Sequence, residues 1–308
     1  MKTREIPLCL LCQNPRVYCS KRIVRQDLIR QWNETFHIDI VNELPDVEQI
    51  DLFHCHACDF QFFSSVRSGS AVFYNQLQKF DWYYLADKWE YRIAKEDVAI
   101  AMTILEVGSG PGFFATHLPA NKQRKLYALE MNPAAASTAT ERGYTILSPD
   151  SLKSPNELQI FFDVIVLFQV VEHLDNPLKF LLDLKPFLNP TGRIILTVPD
   201  AGGYLRLIDP LLNLPPHHLT RWSAKNLRKL ADLLDLTVVR ERHEPLAPYH
   251  ISGYVEAYTS LLRQSRLGFL LHWSMLSRVL ISGLYRTGLY RLCKGEALYV
   301  CFQNNRSS

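Results

Sequence analysis

Three groups of residues in this chain have types and spacings that suit chemistry. They are the glycine-rich segment ILEVGSGPGFF at 104–114, the pairs Cys9/Cys12 and Cys55/Cys58, and the histidines His173, His217 and His218. Glycine turns bind nucleotide-like ligands, thiolates bind metal ions, and imidazoles carry protons. Each group therefore indicates a different kind of site.

The glycine-rich segment has the spacing of a cofactor-binding turn. Gly108, Gly110 and Gly112 alternate with other residues, so the backbone can turn sharply and approach a ligand closely. A dinucleotide-binding turn needs a glycine where this chain has Phe113, and the Lys of a P-loop is absent. Glu106 precedes the turn, where a carboxylate repels a pyrophosphate but can orient the ammonium group of S-adenosylmethionine. A turn that holds no ligand is the alternative.

The ends of the next two predicted strands offer further groups to an adenosyl ligand. Glu130 can accept hydrogen bonds from both ribose hydroxyls, and Met131 beside it can pack on the adenine face. Asp150 and Ser151 follow the third strand, where the carboxylate can accept a hydrogen bond from the adenine amino group. An Asp in such a turn is often only a cap, so both interpretations remain open.

Strand-like and helix-like segments alternate after about residue 100. The continuous apolar run FFDVIVLFQ at 161–169 is typical of a strand buried on both faces. The alternation predicts an α/β fold built on a doubly wound, mostly parallel sheet. Ligands of such sheets bind beyond the C-terminal ends of the strands, so we expect the chemistry at that edge.

Four segments carry a family resemblance: ILEVGSGPGFF, ALEMN, FDVIVLFQVVEHLDNPLKFL and LKPFLNPTGRIILTVPD. Together they resemble the class I S-adenosylmethionine-dependent methyltransferases, over roughly residues 100–240 and the last strand. The resemblance implies a Rossmann-like sheet of seven strands whose last strand is antiparallel, and it implies that Phe168 and Gln169 line the sulfonium side. The full set of expected cofactor residues is Glu106, Gly108, Ser109, Gly110, Gly112, Glu130, Met131, Asp150, Ser151, Phe168 and Gln169.

The two Cys-x-x-Cys pairs predict a structural zinc site. Four thiolates around Zn²⁺ form a common closed site, and we expect Cys9, Cys12, Cys55 and Cys58 to form it, with a helix inserted over 26–40. A redox role is the alternative, although neither pair lies in a thioredoxin-like strand–helix context. Some sugar C-methyltransferases have a similar N-terminal module, and so does a group of rRNA methyltransferases.

The histidines are candidate bases for the acceptor. His173 follows the fourth predicted strand, and His217 and His218 follow the fifth, so all three fall at the expected ligand edge. A hydroxyl, or a carbon beside a ketone, must lose a proton to accept a methyl group, and histidine suits that task near neutral pH. A structural role, such as capping the next helix, is the alternative for each of them. The segments VVEHLDNP and PPHHLTRWS resemble the branch of the family that methylates small molecules, sugars and lipid-linked compounds.

Composition and charge limit the remaining choices. Hydrophobic residues make up 47% of the chain and charged residues 21%, as in ordinary globular proteins, and the net charge of +3 argues against a nucleic-acid binder. The N-terminus lacks the apolar region of a secretory signal, and the apolar stretch at 267–277 is too short to span a bilayer. We therefore expect a cytoplasmic protein. The basic, apolar segment 251–294 could contact a membrane surface, cover the substrate or form a dimer contact; it leaves the oligomeric state open.

These observations together predict an enzyme in four parts. They are a zinc-binding module at 1–79, an aromatic helical connector or lid at 80–100, a methyltransferase domain at 101–250 and 295–308, and a helical insertion at 251–294. The connector offers Tyr83, Tyr84 and Trp89 as lid residues, although they could equally pack two domains together. The expected function is methyl transfer from S-adenosylmethionine to a small molecule, a sugar or a glycan or lipid-linked precursor. An RNA methyltransferase and a non-catalytic S-adenosylmethionine-binding scaffold are the alternatives.

Overall fold

The structure, a computed structural model, describes residues 6–152, 158–263 and 273–305, with no side chain described within 261–277. The first part of the chain contains β1 (Val17–Val24), α1 (Arg25–Phe36), β2 (Gln49–Cys55), β3 (Gln61–Phe63), α2 (Ala71–Leu77) and α3 (Trp89–Asp97). The middle part contains β4 (Thr103–Val107), β5 (Lys125–Leu129), α4 (Pro133–Glu141), β6 (Tyr144–Ile146), β7 (Phe162–Phe168), α5 (Pro177–Leu184) and β8 (Leu188–Pro199). The last part contains α6 (Leu205–Ile208), β9 (Thr220–Arg221), α7 (Ala224–Leu233), β10 (Leu236–Pro245), α8 (Ile251–Arg263), α9 (Trp273–Thr287) and β11 (Lys294–Asn304).

The larger sheet has, among the described residues, seven strands in the order β10-β11-β8-β7-β4-β5-β6. Neighbouring strands from β8 through β6 are parallel, whereas β11 is antiparallel to both β8 and β10. Strand β7 is buried along almost its whole length, as its uninterrupted apolar sequence predicts. The expected α/β fold, including its antiparallel last strand, is confirmed.

Helices begin where the sequence supplies capping groups. The Ser223 hydroxyl accepts a hydrogen bond from the backbone N–H of Asn226, and the Asn226 side chain accepts one from the Ser223 N–H in return. Asn132 caps α4 by accepting from the N–H of Ala134 at 2.8 Å, and Pro133 occupies the first turn. These caps fix the points at which the chain leaves the strand ends, where the site is built.

A second, antiparallel sheet occupies the N-terminal part, in the order β1-β2-β3-β9. Helix α1 lies between the two cysteine pairs, as predicted, and its fully buried Trp32 packs with apolar residues of β2 and α2. Strand β9 belongs to a distant part of the sequence, yet it pairs with β3, where Phe62 lies opposite Thr220. The smaller sheet is therefore completed by the loop that follows β8.

The connector is helical only in its second half. Turns occupy 80–88, and the helix begins at Trp89. Phe80 and Trp82 stack on each other with ring centroids 5.2 Å apart, so aromatic packing stabilises the turns without a helix. The predicted division of the chain into four parts stays a prediction.

The insertion forms the two helices α8 and α9. Its central residues 264–272, including Arg266 and much of the apolar stretch at 267–277, lie outside the described residues. Helix α9 exposes apolar side chains, with Val279 59% exposed and Tyr285 63% exposed. Over the described ranges, no helix has the length and apolar character that crossing a membrane requires.

Candidate functional site

A cavity of about 1000 Å³ lies at the C-terminal edge of the parallel strands. The glycine turn after β4, Glu130 after β5 and Gln169 after β7 all contribute to its lining. Such an edge is where ligands bind in doubly wound sheets, because the loops of neighbouring strands diverge there. The cavity therefore lies where the sequence predicts the site.

The glycine turn has the backbone conformation that only glycine adopts readily. Gly108, Gly110 and Gly112 have φ angles of 68°, 51° and 79°. A Cβ on Gly110 would lie 2.6 Å from Cε1 of Tyr84, and one on Gly112 would lie 3.0 Å from the Cα of Ala139. The turn thus needs glycine both for its φ angles and for the close approach of the connector.

Glu106 lies buried beneath this turn. It is 1% exposed, and the Tyr144 hydroxyl donates a hydrogen bond to its Oε2. Burial raises the pKa of Glu106 to about 8, against the opposing effects of the Tyr144 hydrogen bond and the nearby Lys88 ammonium. A cationic ligand above Glu106 would favour its ionised form.

Glu130 links the glycine turn to the next loop. Its Oε2 accepts a hydrogen bond from the N–H of Gly110 at 2.8 Å, and its Oε1 accepts one from the N–H of Asn132 at 2.7 Å. A carboxylate oxygen can accept more than one hydrogen bond, so both oxygens can still meet hydroxyls from the cavity. The adjacent Met131 lines the cavity and is 77% exposed.

The other expected cofactor residues lie around the same edge. Phe168 is 5% exposed and packs edge-on against Phe114, with centroids 4.9 Å apart, while Gln169 follows it with φ of 56°. Ser109 is buried within the glycine turn. Asp150 and Ser151 lie in a short turn after β6, in which the N–H of Ser151 donates to the Ser148 carbonyl. Their contacts with a cofactor stay predictions.

The three histidines come together although His173 and His217 are far apart in sequence. Ring centroids lie 4.6 Å apart for His173 and His217, 4.8 Å for His173 and His218, and 4.4 Å for the stacked His217 and His218. Burial lowers the pKa of His173 to about 4 and holds the pKa values of His217 and His218 well below the ordinary value. All three are therefore neutral at neutral pH. We call this group the histidine cluster.

The N-terminal sheet holds the loop that carries two of these histidines. The N–H of Phe63 in β3 donates to the Leu219 carbonyl at 2.9 Å, and the N–H of Gly69 donates to the Pro216 carbonyl at 3.1 Å. The N–H of Leu219 donates to the Glu172 carbonyl at 2.8 Å and so joins this loop to the one after β7. The side chain of Trp222, just after β9, is fully buried against Phe60, with ring centroids 4.7 Å apart.

The sequence interpretation missed several residues that line the cavity. They are Tyr74, Glu90, Glu244, Tyr249, His250 and Glu296. Glu296 lies near the start of β11, and because β11 is antiparallel its start meets the C-terminal ends of the other strands. The expected antiparallel direction of the last strand was the signal that could have placed Glu296 at the cavity. The expected lid residues Tyr83, Tyr84 and Trp89 do line the cavity.

The four predicted zinc ligands also converge. The Sγ atoms of Cys9 and Cys58 lie 3.6 Å apart, as do those of Cys12 and Cys55, and all four lie within 4.8 Å of one another. Sulfurs about 2.3 Å from a tetrahedral Zn²⁺ would lie about 3.8 Å apart. The sulfur positions thus fit a four-thiolate metal site.

Comparison with known proteins identifies the family. The model of a methyltransferase domain matches residues 77–241, more than half of the chain. The chain therefore belongs to the methyltransferase-domain family. Membership confirms the predicted class I S-adenosylmethionine-dependent methyltransferase, whose expected sheet is described above.

Individual proteins are similar to this chain over only part of their length or at low sequence identity. A ubiquinone biosynthesis O-methyltransferase of Rickettsia felis is 32% identical over 99 residues, 31% of this chain and 41% of that protein. One of Rickettsia conorii is 30% identical over 148 residues, 47% of this chain and 50% of that protein. The chain thus spans half or less of these relatives' length. A putative sarcosine dimethylglycine methyltransferase from Galdieria sulphuraria has 18% identity and a TM-score of 0.43, covering 75% of this chain and 87% of that one.

Replacement of Gly110 tests the turn of this methyltransferase. Gly110→Ala should weaken S-adenosylhomocysteine binding by about tenfold or more, because a Cβ is strained at this φ and collides with Tyr84. Gly253→Ala is the control, since a Cβ there meets nothing within 4 Å. Calorimetric titration measures both affinities, and an unchanged affinity in Gly110→Ala would contradict the assigned turn.

Proposed function

We propose that this chain transfers the methyl group of S-adenosylmethionine to a small-molecule acceptor that gives up a proton. The observation that carries the proposal is that the glycine turn and the histidine cluster line one cavity of about 1000 Å³. Ligand pockets usually measure about 300–1000 Å³, so this cavity has room for a cofactor and a small acceptor together. The relatives are named O-methyltransferases, which favours oxygen as the methylated atom.

The proposed cofactor position follows the charges and the strand ends. Glu106 and the glycine turn face the methionine part, and Glu130 accepts hydrogen bonds from the ribose hydroxyls. The adenine lies toward Met131 and the turn with Asp150 and Ser151. Phe168 and Gln169 then lie beside the sulfonium, in the cavity that the histidine cluster also lines. This arrangement directs the methyl group toward the acceptor.

The protein has two tasks in such a transfer, because the methyl group is already activated. It must hold the acceptor atom in line with the methyl–sulfur bond, and it must remove the proton. We assign proton removal to the histidine cluster, with His217 or His218 as the base and His173 beside them. Their place in the cavity lining supports this assignment.

Polar groups in the cavity lining, apart from the expected cofactor residues, support an enzyme over a scaffold. Glu90, Glu244 and Glu296 line the cavity, and burial raises the pKa of Glu244 to about 7. Carboxyl groups can accept hydrogen bonds from acceptor hydroxyls, so a sugar or a glycan or lipid-linked precursor remains part of the proposal. A scaffold that only binds the cofactor has no need of polar groups there.

We also propose that Cys9, Cys12, Cys55 and Cys58 bind a structural Zn²⁺. The sulfur spacing supports this, and so does the position of the second pair, because Cys55 ends β2 and the chain continues through Cys58 into β3. A closed four-thiolate site stabilises small modules and takes no part in chemistry. Its place here is to hold the β2–β3 turn, and through β3 the histidine loop.

Peripheral membrane contact is proposed for helix α9. Its exposed Val279, Leu280 and Tyr285 lie among Arg278 and Arg286, a combination that suits an anionic membrane surface.

Methyl transfer can be tested before the acceptor is known. Incubation with methyl-labelled S-adenosylmethionine and a cell extract should place label in the small-molecule or lipid fraction. His217→Ala and His218→Ala should each lower this transfer by about 100-fold or more, with a smaller change in S-adenosylhomocysteine affinity. Label confined to RNA, or binding of NADH in place of S-adenosylmethionine, would overturn the proposal.

Cofactor binding should depend on pH through Glu106. The free protein has this carboxyl mostly protonated below about pH 8, whereas the bound ammonium group favours ionisation. S-adenosylhomocysteine affinity should therefore rise about tenfold from pH 6.5 to 8.0, as binding displaces the proton. Glu106→Gln should bind more weakly and lose this dependence in calorimetric titrations. An equal slope in wild type and variant would exclude Glu106.

Loss of one thiolate tests the zinc proposal. Cys55→Ser should abolish stoichiometric zinc in elemental analysis and lower the free energy of unfolding by more than about 3 kcal/mol. Cys19→Ser is the matched control, because Cys19 lies outside the four-sulfur group. A wild-type protein without zinc, or full zinc in Cys55→Ser, would contradict the proposal.

A further inference from the structure

The histidine cluster has a geometry beyond what proton removal requires. The candidate ligand nitrogens of His173, His217 and His218 all lie within 4.8 Å of one another. His217 is 7% exposed and His218 is 8% exposed, so the group is enclosed and opens mainly into the cavity. A single base would need only one of these side chains.

Each ring is oriented by a hydrogen bond from its Nδ1. His173 Nδ1 bonds the His217 carbonyl at 2.5 Å, His217 Nδ1 bonds the Leu212 carbonyl at 2.8 Å, and His218 Nδ1 bonds Asn213 Oδ1 at 2.9 Å. These oxygens carry no proton, so each Nδ1 is the donor. The hydrogen-bond pattern therefore assigns the proton to Nδ1 and leaves a lone pair on each Nε2. Metal-binding histidines are typically oriented in this way.

The lone pairs of the loop histidines are not otherwise used. Across the residues that the structure describes, Nε2 of His217 and Nε2 of His218 form no hydrogen bond. Tyr74 adds a polar contact at the edge of the cluster, since its hydroxyl lies 3.2 Å from His173 Nδ1. The Nε2 lone pairs of His217 and His218 are therefore available to a ligand.

Glu172 is a buried residue between the two histidine loops. Glu172 precedes His173 and is fully buried, and neither of its carboxylate oxygens has a hydrogen-bond partner within the described ranges. Its backbone carbonyl bonds the N–H of Leu219, the residue after His218, so Glu172 belongs to the junction of the two histidine loops.

We propose that His173, His217 and His218 bind a divalent transition-metal ion through Nε2, with a further coordination position open to the cavity. Three imidazoles suit Zn²⁺, Co²⁺ or Fe²⁺, and three protein ligands with one open position are typical of catalytic sites. Metal–nitrogen bonds of about 2.1 Å require nitrogens about 3.4 Å apart, so the ligand nitrogens must approach by about 1.4 Å at most from the 4.8 Å limit. The stacked rings of His217 and His218 must also tilt to direct both lone pairs at one ion.

Metal binding by the histidine cluster does not depend on the proposed function. Only the identity of the ligand at the open coordination position rests on it. There the ion would bind an acceptor oxygen and lower its pKa, and the proton would pass to bulk water. The direct histidine base described above is then the route of the metal-free cluster.

Cobalt binding to the full-length protein tests the site without methyl transfer. The protein as purified, with its zinc retained, is titrated with Co²⁺ while the visible spectrum and the heat are recorded. We expect one equivalent of Co²⁺, with ligand-field bands and without thiolate-to-cobalt charge transfer. No binding, or binding with charge transfer only, would overturn the proposal. Because S-adenosylhomocysteine affinity is measured separately, a failure here is distinguishable from a failure of the proposed function.

Variants locate the ligands. His217→Gln and His218→Gln should each weaken Co²⁺ binding by more than about tenfold, and Asn213→Ala should weaken it by about 10–100-fold through loss of ring orientation. His37→Asn is the control, since His37 is exposed and its left-handed backbone suits Asn. Retained zinc and S-adenosylhomocysteine binding show that a variant is folded. Undiminished Co²⁺ binding in a folded His217→Gln/His218→Gln double variant would overturn the assignment.

Discussion

The pairing of β3 with β9 is the interaction on which the position of the histidine cluster depends. Strand β9 has only two residues, and a strand so short has little stability of its own. It is held because Phe63 donates to the Leu219 carbonyl on one side of the chain, while the buried Trp222 packs on Phe60 next to it. His217 and His218 directly precede this anchored segment. The N-terminal sheet thus holds the loop that places His217 and His218 in the cavity lining.

Two carboxyl groups at the edge of the sheet that carries the cavity are buried. Glu106 and Glu172 are both buried, and burial raises the pKa of each to about 8. Burial of a carboxyl group reduces stability, so such groups persist where binding a ligand offsets the cost. S-adenosylmethionine carries a sulfonium and an ammonium group, so in the proposed cofactor position its binding would favour the ionised form of Glu106.

Short sequence patterns predicted which strand ends carry functional residues, because each pattern is encoded within a few residues. The glycine turn and Glu130 could be predicted from their residue types and their positions at the ends of strands. The cysteine pairs could be predicted from their spacing alone. The pairing of β3 with β9 could not be predicted, since two residues show no alternation and their partner is more than 150 positions away. Glu296 was missed for a different reason, because its strand approaches the edge from the opposite direction.

The cysteine group and the histidine cluster are coupled through a short series of contacts. The Cys58 carbonyl accepts a hydrogen bond from Asn226 Nδ2 at 2.6 Å, and Asn226 in turn forms the capping box with Ser223. Ser223 follows Trp222, so one buried amide ties the second cysteine pair to the start of α7 and to the end of β9. Loops at a ligand edge are usually mobile, but this one is fixed at both ends and its histidines are buried. A loop fixed in this way can hold imidazoles at defined separations, which both a base and a metal ligand require.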